Sequence, residues 1–205
     1  MIPKIIHQTA PSDRTKWPTI WKECQKSIFQ VFPNFEYQLW DDDDLEELVR
    51  VRYPWFLEQY LAYPSHIMRV DVARYMILDT FGGIYIDMDF EIYKDFSVVL
   101  PPNNVSIVES SYPETEYLQN SLMSSPRNHP FWNEVFRELM STYSYYKSSV
   151  LDATGPRMLD RVYERYEPKK FIYVLPKDLF NPNPNPDQSP SSNVYSKHYY
   201  TAVWV

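Results

Sequence analysis

Residues 65–89 read SHIMRVDVARYMILDTFGGIYIDMD, and this stretch decides the fold. Apolar side chains recur at three- and four-residue spacing from Ser65, a candidate N-cap, to Phe81, as they do in a helix. Gly82 follows where helices commonly end in a left-handed residue. Beyond the glycines, apolar and polar side chains alternate as in a short strand. We therefore predict a helix, a double-glycine turn and a buried strand.

Four charged side chains in this stretch are candidates for a polar site. Asp71 and Arg74 lie about 60° apart on the helix circumference, so a carboxylate and a guanidinium share one face. Asp87 and Asp89 follow the strand and project to the same side while the chain stays extended. Mg²⁺ and Mn²⁺ prefer such oxygen ligands and share them with phosphates. A bare Asp-x-Asp is a weak signal, but unpaired carboxylates ending an apolar strand are costly without a cation or donors.

The stretch resembles the DXD sugar-binding region of family 32 glycosyltransferases at every signature position. These positions are Arg69, Asp71, Arg74, Tyr75, Leu78, Gly82, Gly83, Tyr85, Asp87 and Asp89. The family includes yeast mannosyltransferases and many bacterial capsule and viral enzymes. The resemblance implies an α/β chain with a single GT-A domain, a Rossmann-like fold whose mixed central sheet is flanked by helices. It also implies a Mn²⁺ or Mg²⁺ ion and retaining transfer of a hexose from a UDP-sugar or GDP-mannose to a glycan or glycoprotein hydroxyl.

The same resemblance assigns roles to individual residues. Asp87, Asp89 and His198 are the expected metal ligands, while Asp71 and Arg74 are expected to hold sugar hydroxyls beside Asp87 at the reaction centre. The residues expected to contact the donor are His7, Gln8, Thr9, Asp71, Arg74, Gly83, Tyr85 and Asp87. No general base is assigned, because same-face attack lets the leaving phosphate take the acceptor proton.

The opening segment, residues 3–9, reads PKIIHQT and predicts a first buried strand that runs into a polar loop. In the family, this strand ends beside the nucleotide. The family's usual Thr-Trp is Thr9-Ala10 here, so any stacking on the nucleobase falls to another ring. A lone buried histidine is more often a hydrogen-bonded core residue than a ligand, and for His7 both interpretations stay open.

Length and composition limit the classes of protein to which the chain can belong. A chain of 205 residues suits one domain, with a donor-binding core at about residues 1–110 and an acceptor side and closing segment at about 111–205. The net charge of −7, with no basic tract, argues against a nucleic-acid partner. The 18 tyrosines and 6 tryptophans supply amphipathic rings on which sugars stack.

The sequence shows neither a leader peptide nor about 18 consecutive apolar residues, so no transmembrane segment is expected. With the single cysteine, Cys24, no intramolecular disulfide can form. Fungal relatives usually carry a membrane anchor. The resemblance therefore favours a bacterial or viral member that works in the cytoplasm of the bacterium or of the virus's host.

Asp41 to Asp44 form a second acidic cluster, which we predict to cap a helix. Four acids directly before an amphipathic segment provide an N-cap and favourable charge at a helix N-terminus. A solvated charge run is the ordinary interpretation of such a cluster. We therefore do not count it as a metal site.

Three features of the second half complete the predictions. Thr154-Gly155-Pro156 matches a family turn that opens a helix, and it either touches the acceptor or only shapes the pocket. Residues 181–192 form a Pro/Asn/Ser loop that is either a lid over the donor or a stiff surface connection. His198 and Trp204 resemble the closing His and Trp of the family.

Two other functions use the same residues. A metal-dependent hydrolase of nucleotide sugars needs the same aspartates but delivers water to the sugar. A non-catalytic sugar-nucleotide or carbohydrate-binding protein keeps the fold without turnover. The second alternative predicts loss of the charged positions, and none is lost here.

Overall fold

A computed structural model describes residues 1–182 and 192–201, so Trp204 and most of the Pro/Asn/Ser loop lie outside the described residues. The strands are β1 Ile5–Thr9, β2 Glu36–Trp40, β3 Gly83–Ile86, β4 Phe90–Ile92, β5 Val105–Glu109, β6 Leu118–Ser125, β7 Ile172–Leu175 and β8 Ser196–His198. The helices are α1 Thr19–Val31, α2 Asp42–Arg52, α3 Leu57–Ala62, α4 His66–Phe81, α5 Pro130–Tyr146, α6 Val150–Ala153, α7 Pro156–Arg165 and α8 Lys177–Phe180. Within these ranges, no helix has both the length and the apolar character needed to cross a membrane.

Six strands form a mixed central sheet in the order β2-β1-β3-β6-β5-β7. β1, β2 and β3 are parallel to one another, and β5 is parallel to β7. β6 is antiparallel to both of its neighbours, β3 and β5. Five of the six strands in this sheet therefore end at the same edge, which we call the carboxyl edge. The sixth strand, β6, begins there. β4 and β8 form a separate antiparallel pair beyond that edge.

Apolar side chains cover both faces of the sheet. On one face, Tyr75 of α4 and Trp132 of α5 pack in a core with Tyr85. On the other face, Ile28 of α1 packs with Ile84. The alternation read from the strand thus sends Tyr85 and Ile84 to opposite faces, as period-two geometry requires.

The helix, glycine turn and strand predicted for residues 65–89 are confirmed, with two differences. Ser65 occupies the N-cap position of α4, but its side chain accepts no capping hydrogen bond. Extended backbone ends at Ile86, and the chain turns between Asp87 and Phe90, whose N–H donates to the Asp87 carbonyl at 3.2 Å. Simple alternation therefore does not decide where the two carboxylates point.

Gly83 shows why the turn needs glycine. Its φ is +93°, a conformation that side chains rarely adopt, and a Cβ there would lie 2.6 Å from the carbonyl oxygen of Ile5. The close approach lets α4 lead directly into β3 beside β1. Gly155 is different, because its φ of −89° is ordinary. The constraint at Gly155 is crowding by Leu151, whose Cα would lie 3.0 Å from an added Cβ.

The acidic cluster caps α2, as predicted. The side chain of Asp41 accepts hydrogen bonds from the backbone N–H groups of Asp43 and Asp44, each at 3.1 Å. The side chain of Asp44 in turn accepts from the Asp41 N–H at 3.2 Å. This reciprocal capping box places the acids at the positive end of the helix dipole.

Candidate functional site

Asp87, Asp89 and His198 meet at the carboxyl edge of the sheet. Asp87 directly follows β3, Asp89 lies in the turn before β4, and His198 ends β8. Antiparallel pairing of β8 with β4 sets Phe90 opposite His198 and so carries the histidine to the turn. One ligand atom from each of the three residues lies within 4.8 Å of the others. The predicted metal ligands are thus brought together.

Both carboxylate oxygens of Asp89 have hydrogen-bond partners within the protein. Its Oδ1 lies 3.0 Å from Nε2 of His198, and its Oδ2 accepts from the backbone N–H and the hydroxyl of Thr201 at 2.8 and 2.9 Å. Burial works against the charged carboxylate, but the contacts with His198 and Thr201 outweigh it and lower the pKa of Asp89 to about 2. Asp89 is therefore a fixed anion near neutral pH.

Among the described residues, the contacts of Asp87 involve one of its two carboxylate oxygens. Its Oδ1 accepts from the hydroxyl of Tyr85 at 2.8 Å and lies 3.3 Å from Nη1 of Arg74. Burial raises the pKa of Asp87, and the Arg74 cation opposes that rise. No hydrogen bond from the described residues reaches Oδ2, and the side chain is 25% exposed. That oxygen is available to a ligand.

The three residues fit a divalent ion. Adjacent ligands of an octahedral ion with bonds of about 2.1 Å lie about 3 Å apart. Oδ1 of Asp89 and Nε2 of His198 are 3.0 Å apart, so both can face one ion without large movement. Two carboxylates and one imidazole form a donor set that suits Mn²⁺.

Asp71 and Arg74 lie beneath Asp87 and are buried, with 4% and 3% exposure. Oδ1 of Asp71 accepts from the Asn120 amide at 2.8 Å and lies 3.2 Å from Nη2 of Arg74. Its Oδ2 accepts from the hydroxyl of Thr154 at 2.9 Å. Nη1 of Arg74 donates to the Asn120 carbonyl at 3.0 Å and contacts Asp87. Both side chains therefore support Asp87 from within the protein, although Nε of Arg74 has no hydrogen-bond partner among the described residues. The expected contact of this pair with sugar hydroxyls stays a prediction.

His7 is a buried core histidine. The indole N–H of Trp40 donates to its Nδ1 at 3.2 Å, so the proton sits on Nε2, which donates to the Gly82 carbonyl at 2.9 Å. Burial lowers the pKa of His7 to about 4, partly offset by the Gly82 bond. Both ring nitrogens are thus occupied, which favours the structural interpretation over the expected contact with the donor.

The other residues expected to contact the nucleotide-sugar donor lie in the buried layer next to Asp87. The amide of Gln8 donates to the Asp87 carbonyl at 3.2 Å. The hydroxyls of Thr9 and Tyr85 lie 2.8 Å apart, and because Tyr85 donates to Asp87, Thr9 is the donor to Tyr85. Gly83 permits the close approach of β3 to β1. Gln8, Thr9 and Tyr85 are thus buried and position Asp87, and the expected contact of these residues with the donor stays a prediction.

A cleft of about 190 Å³ opens above the cluster. The residues that line it are Trp21, Asp87, Met88, Asp89, His198, Tyr200 and Thr201. Sequence reasoning missed Thr201 and Tyr200, for which no local pattern gives a signal. The Asn120 amide and the Thr154 hydroxyl both donate to Asp71, so both side chains shape the site from within. Whether the turn at Thr154 also touches the acceptor stays open.

Comparison with known proteins identifies the family of the chain. Residues 18–107 match the family described as glycosyltransferase sugar-binding region containing DXD motif. Inositol phosphoceramide mannosyltransferase 3 of Schizosaccharomyces pombe is 36% identical over 188 residues, which cover 87% of this chain and 51% of that protein. The chain belongs to this DXD glycosyltransferase family.

Two further proteins illustrate the family and the fold. Mannosyl phosphorylinositol ceramide synthase SUR1 of Saccharomyces cerevisiae is 31% identical over 170 residues, covering 82% of this chain and 43% of that protein. The solved PaToxG glycosyltransferase superposes with a TM-score of 0.63 at 18% identity, covering 82% of this chain and 70% of that chain. This likeness confirms the predicted GT-A fold. The chain spans about half the length of the curated DXD glycosyltransferases described here.

Proposed function

We propose that this chain is a metal-dependent glycosyltransferase that moves a hexose from a nucleotide-diphosphate sugar to an acceptor hydroxyl. The convergence of Asp87, Asp89 and His198 on one cleft, within a chain of the DXD family, is the observation that carries the proposal. The cleft lies beyond the carboxyl ends of the parallel strands, where α/β sheets bind their ligands. Family and geometry thus support the same site.

Asp87, Asp89 and His198 would hold the ion. When bound, a divalent cation neutralises the donor diphosphate and stabilises charge on the departing nucleoside diphosphate. We propose Mn²⁺, with Mg²⁺ as the alternative, because an imidazole ligand suits Mn²⁺ better than Mg²⁺. Thr201 contributes by fixing Asp89 with two hydrogen bonds.

The buried layer below the cleft keeps Asp87 in place. Tyr85 and Arg74 both bind its Oδ1, which leaves Oδ2 directed away from them. A carboxylate already held in its working orientation needs no reorganisation when charge develops in the transition state. We assign no general base, because in a retaining transfer the leaving phosphate oxygen can take the acceptor proton on the same face.

The relatives guide the choice of substrates. Their names describe an inositol phosphoceramide mannosyltransferase and a mannosyl phosphorylinositol ceramide synthase. We therefore propose a mannosyl donor such as GDP-mannose, with UDP-hexoses as alternatives. For the acceptor we propose a polyol headgroup or a glycan.

The test is a thermal-unfolding panel of GDP-mannose, UDP-glucose and UDP-galactose, each with Mn²⁺ and with EDTA. A ligand at 100 times its dissociation constant adds about 2.7 kcal/mol of stability. For a domain of this size, that raises the melting temperature by roughly 5–10 °C. We expect this shift for one donor with Mn²⁺ and none in EDTA.

Variants make the panel specific. Asp87→Asn and Asp89→Asn should abolish the metal-dependent shift, whereas Asp43→Asn, in the acidic run that caps α2, should retain it. Products are then analysed with and without an acceptor polyol. Transfer to the polyol supports the proposal, while free hexose regardless of acceptor identifies a hydrolase, and equal stabilisation in EDTA contradicts the metal-bridged site.

A further inference from the structure

Among the described residues, the imidazole of His198 finds no partner for the hydrogen bond that usually orients a metal-binding histidine. Its Nε2 faces Oδ1 of Asp89 at 3.0 Å. Its Nδ1 is buried and has no hydrogen-bond partner within residues 1–182 and 192–201. Metal ligands of this type almost always donate the second N–H to a carboxylate, carbonyl or water, which fixes the ring. The contacts that the described residues make with this ring are of another kind.

Two aromatic rings enclose the imidazole. Phe90, its register partner on β4, stacks against one face with ring centroids 4.5 Å apart and planes 15° from parallel. Tyr200 covers the ring with centroids 3.9 Å apart and a 32° tilt. Phe90 is fully buried, whereas Tyr200 lines the cleft above Asp87. Packing against these rings leaves Nε2 facing Asp89.

Tyr200 reaches this position through an uncommon backbone conformation. Its φ is +51°, in the left-handed region. That region costs an L-residue with a bulky side chain roughly 1–2 kcal/mol. Strain of this size persists only where the surroundings over-determine it, and such residues cluster at functional sites. This left-handed conformation directs the Tyr200 ring back over His198, two positions earlier in the chain.

The far end of the Tyr200 side chain is anchored. Its hydroxyl donates to Oδ1 of Asn181 at 2.9 Å. Asn181 is fully buried at the C-terminal end of α8, and its amide donates to Oε1 of Gln119 at 3.0 Å. The edge of the Tyr112 ring contacts Tyr200 with centroids 5.4 Å apart. Tyr200 is thus braced by β6 and α8, independently of the strand that carries His198.

We propose that Tyr200 is a positioning residue for the metal site. Its ring holds the His198 imidazole against Phe90 so that Nε2 stays directed at the ion, and the Asn181 hydrogen bond holds Tyr200. Stacking here replaces the usual hydrogen bond on Nδ1. The inference rests on the proposed function, since it concerns the ion that the transfer needs.

The experiment measures Mn²⁺ affinity directly, by the loss of the electron paramagnetic resonance signal of free Mn²⁺ as protein is added. Tyr200→Leu removes the ring, and Tyr200→Gly removes it while also suiting the left-handed backbone. We expect each to weaken Mn²⁺ binding at least about tenfold, the scale of disturbing a ligand's orienting partner. Tyr200→Phe keeps the ring and should lose no more than about threefold.

Two controls separate positioning from general packing. Tyr199→Leu alters the neighbouring ring, whose hydroxyl binds Glu91, and should leave Mn²⁺ affinity within about twofold. The double variant His198→Ala/Tyr200→Gly should bind Mn²⁺ no more weakly than His198→Ala, because Tyr200 acts through His198. Thermal unfolding confirms that each variant is folded at the titration temperature.

The outcomes distinguish this inference from the proposed function. Unchanged Mn²⁺ affinity in folded Tyr200→Gly, or additive losses in the double variant, overturns the positioning role alone. A wild-type protein that binds Mn²⁺ with the expected pattern of variants but transfers no sugar upholds the positioning role and overturns the proposed function. A wild-type protein that does not bind Mn²⁺ overturns both.

Discussion

Nη1 of Arg74 lies 3.3 Å from Oδ1 of Asp87, and this contact joins the helix beneath the site to the strand end that forms it. Arg74 also pairs with Asp71 one helical turn earlier and donates to a carbonyl of β6. Burial alone would lower the pKa of the guanidinium, but attraction to Asp87 and Asp71 keeps it raised. Arg74 is thus a buried permanent cation that compensates two carboxylates.

Replacing Arg74 by Lys keeps the charge but loses the planar fork that reaches three partners. We expect the free energy of unfolding to fall by about 2 kcal/mol, the value of a hydrogen bond to a charged group. For a domain of this size the melting temperature then falls by roughly 4–8 °C. Mn²⁺ affinity should fall as well, because Asp87 loses support. Thermal unfolding and a Mn²⁺ titration measure the two effects.

Arg50→Lys is the matched control for that variant. Arg50 is half exposed and pairs with Glu46 one turn away on α2. Exposed pairs of this kind contribute about 0–1 kcal/mol. Its melting temperature and Mn²⁺ titration should stay close to wild type, and similar behaviour of Arg74→Lys would show that the buried network does not support the site.

Tyr85→Phe tests the hydrogen-bonded chain that runs from Thr9 through Tyr85 to Asp87. Loss of the hydroxyl should lower the free energy of unfolding by about 1 kcal/mol. It should also weaken Mn²⁺ binding several-fold, since Asp87 can then rotate. Tyr53→Phe removes a hydroxyl that binds Asp79 and Thr80 away from the cleft. That variant should lose similar stability with unchanged Mn²⁺ affinity, and equal metal effects in both variants would argue against a specific role for Tyr85.

The parts of the fold that could be predicted are those that a local sequence pattern determines. The helix of residues 66–81, the glycine turn and β3 follow from side-chain periodicity, and Asp41 caps α2 as its position before an amphipathic segment requires. Such features depend on neighbours within a few residues. The meeting of Asp87, Asp89 and His198 was predictable for a different reason, because His198 is distant in sequence and entered only through the resemblance to a known family.

The burial of Asp71 and Arg74 was not predictable from the helix. Helical geometry puts both side chains on one face, but it does not say what covers that face. Asn120 of β6 and Thr154 after α6 cover it, and both come from distant parts of the chain. The turn after Asp87 was missed because alternation holds only while a strand continues. Tertiary contacts thus decided which carboxylates face the cleft.

Thr154→Val tests whether Thr154 acts only inside the protein. The change keeps the shape of the side chain but leaves Oδ2 of Asp71 without its donor in a buried position. An unsatisfied buried acceptor costs about 1–3 kcal/mol, so the melting temperature should fall. The KM for acceptor should remain within about twofold. Thr142→Val removes a hydroxyl that binds only the Glu138 carbonyl within α5 and should cost less. A selective rise in acceptor KM would instead place Thr154 at the acceptor.

Gly83→Ala tests the close approach of β3 to β1. The new Cβ would lie 2.6 Å from the Ile5 carbonyl oxygen, at a φ of +93°. Steric overlap and backbone strain together should lower the free energy of unfolding by at least about 3 kcal/mol. Gly155→Ala has ordinary φ and a nearest contact of 3.0 Å, so we expect less than half that loss. Thermal unfolding compares the two, and equal losses would contradict the special role of Gly83.

Glu138 lies on α5, away from the cleft, and its carboxylate contributes to the stability of the fold in a pH-dependent way. Its buried carboxylate accepts from Nε of Arg161 at 2.8 Å and from Nη1 of Arg165. Burial would raise the pKa of Glu138, but the two arginines outweigh burial and hold it below its usual value. A carboxylate whose folded pKa is depressed stabilises the fold above its unfolded pKa, and this contribution is lost as pH falls through the folded pKa.

Glu138→Gln should therefore lower the melting temperature most at neutral pH. The arginines left without this partner are 27% and 44% exposed, so the loss should be about 1.5–3 kcal/mol, the value of a hydrogen bond to a charged group. The difference between wild type and variant should begin to shrink as pH falls below about 4.3, the ordinary pKa of Glu, because the unfolded chain then takes up a proton that the folded carboxylate resists. Glu134→Gln is the control, because Glu134 pairs with the exposed Arg137 and such pairs contribute about 0–1 kcal/mol. Thermal unfolding from pH 7 to pH 3 measures both variants. A Glu138→Gln difference that stays constant over this range would mean that the carboxylate's charge does not stabilise the fold.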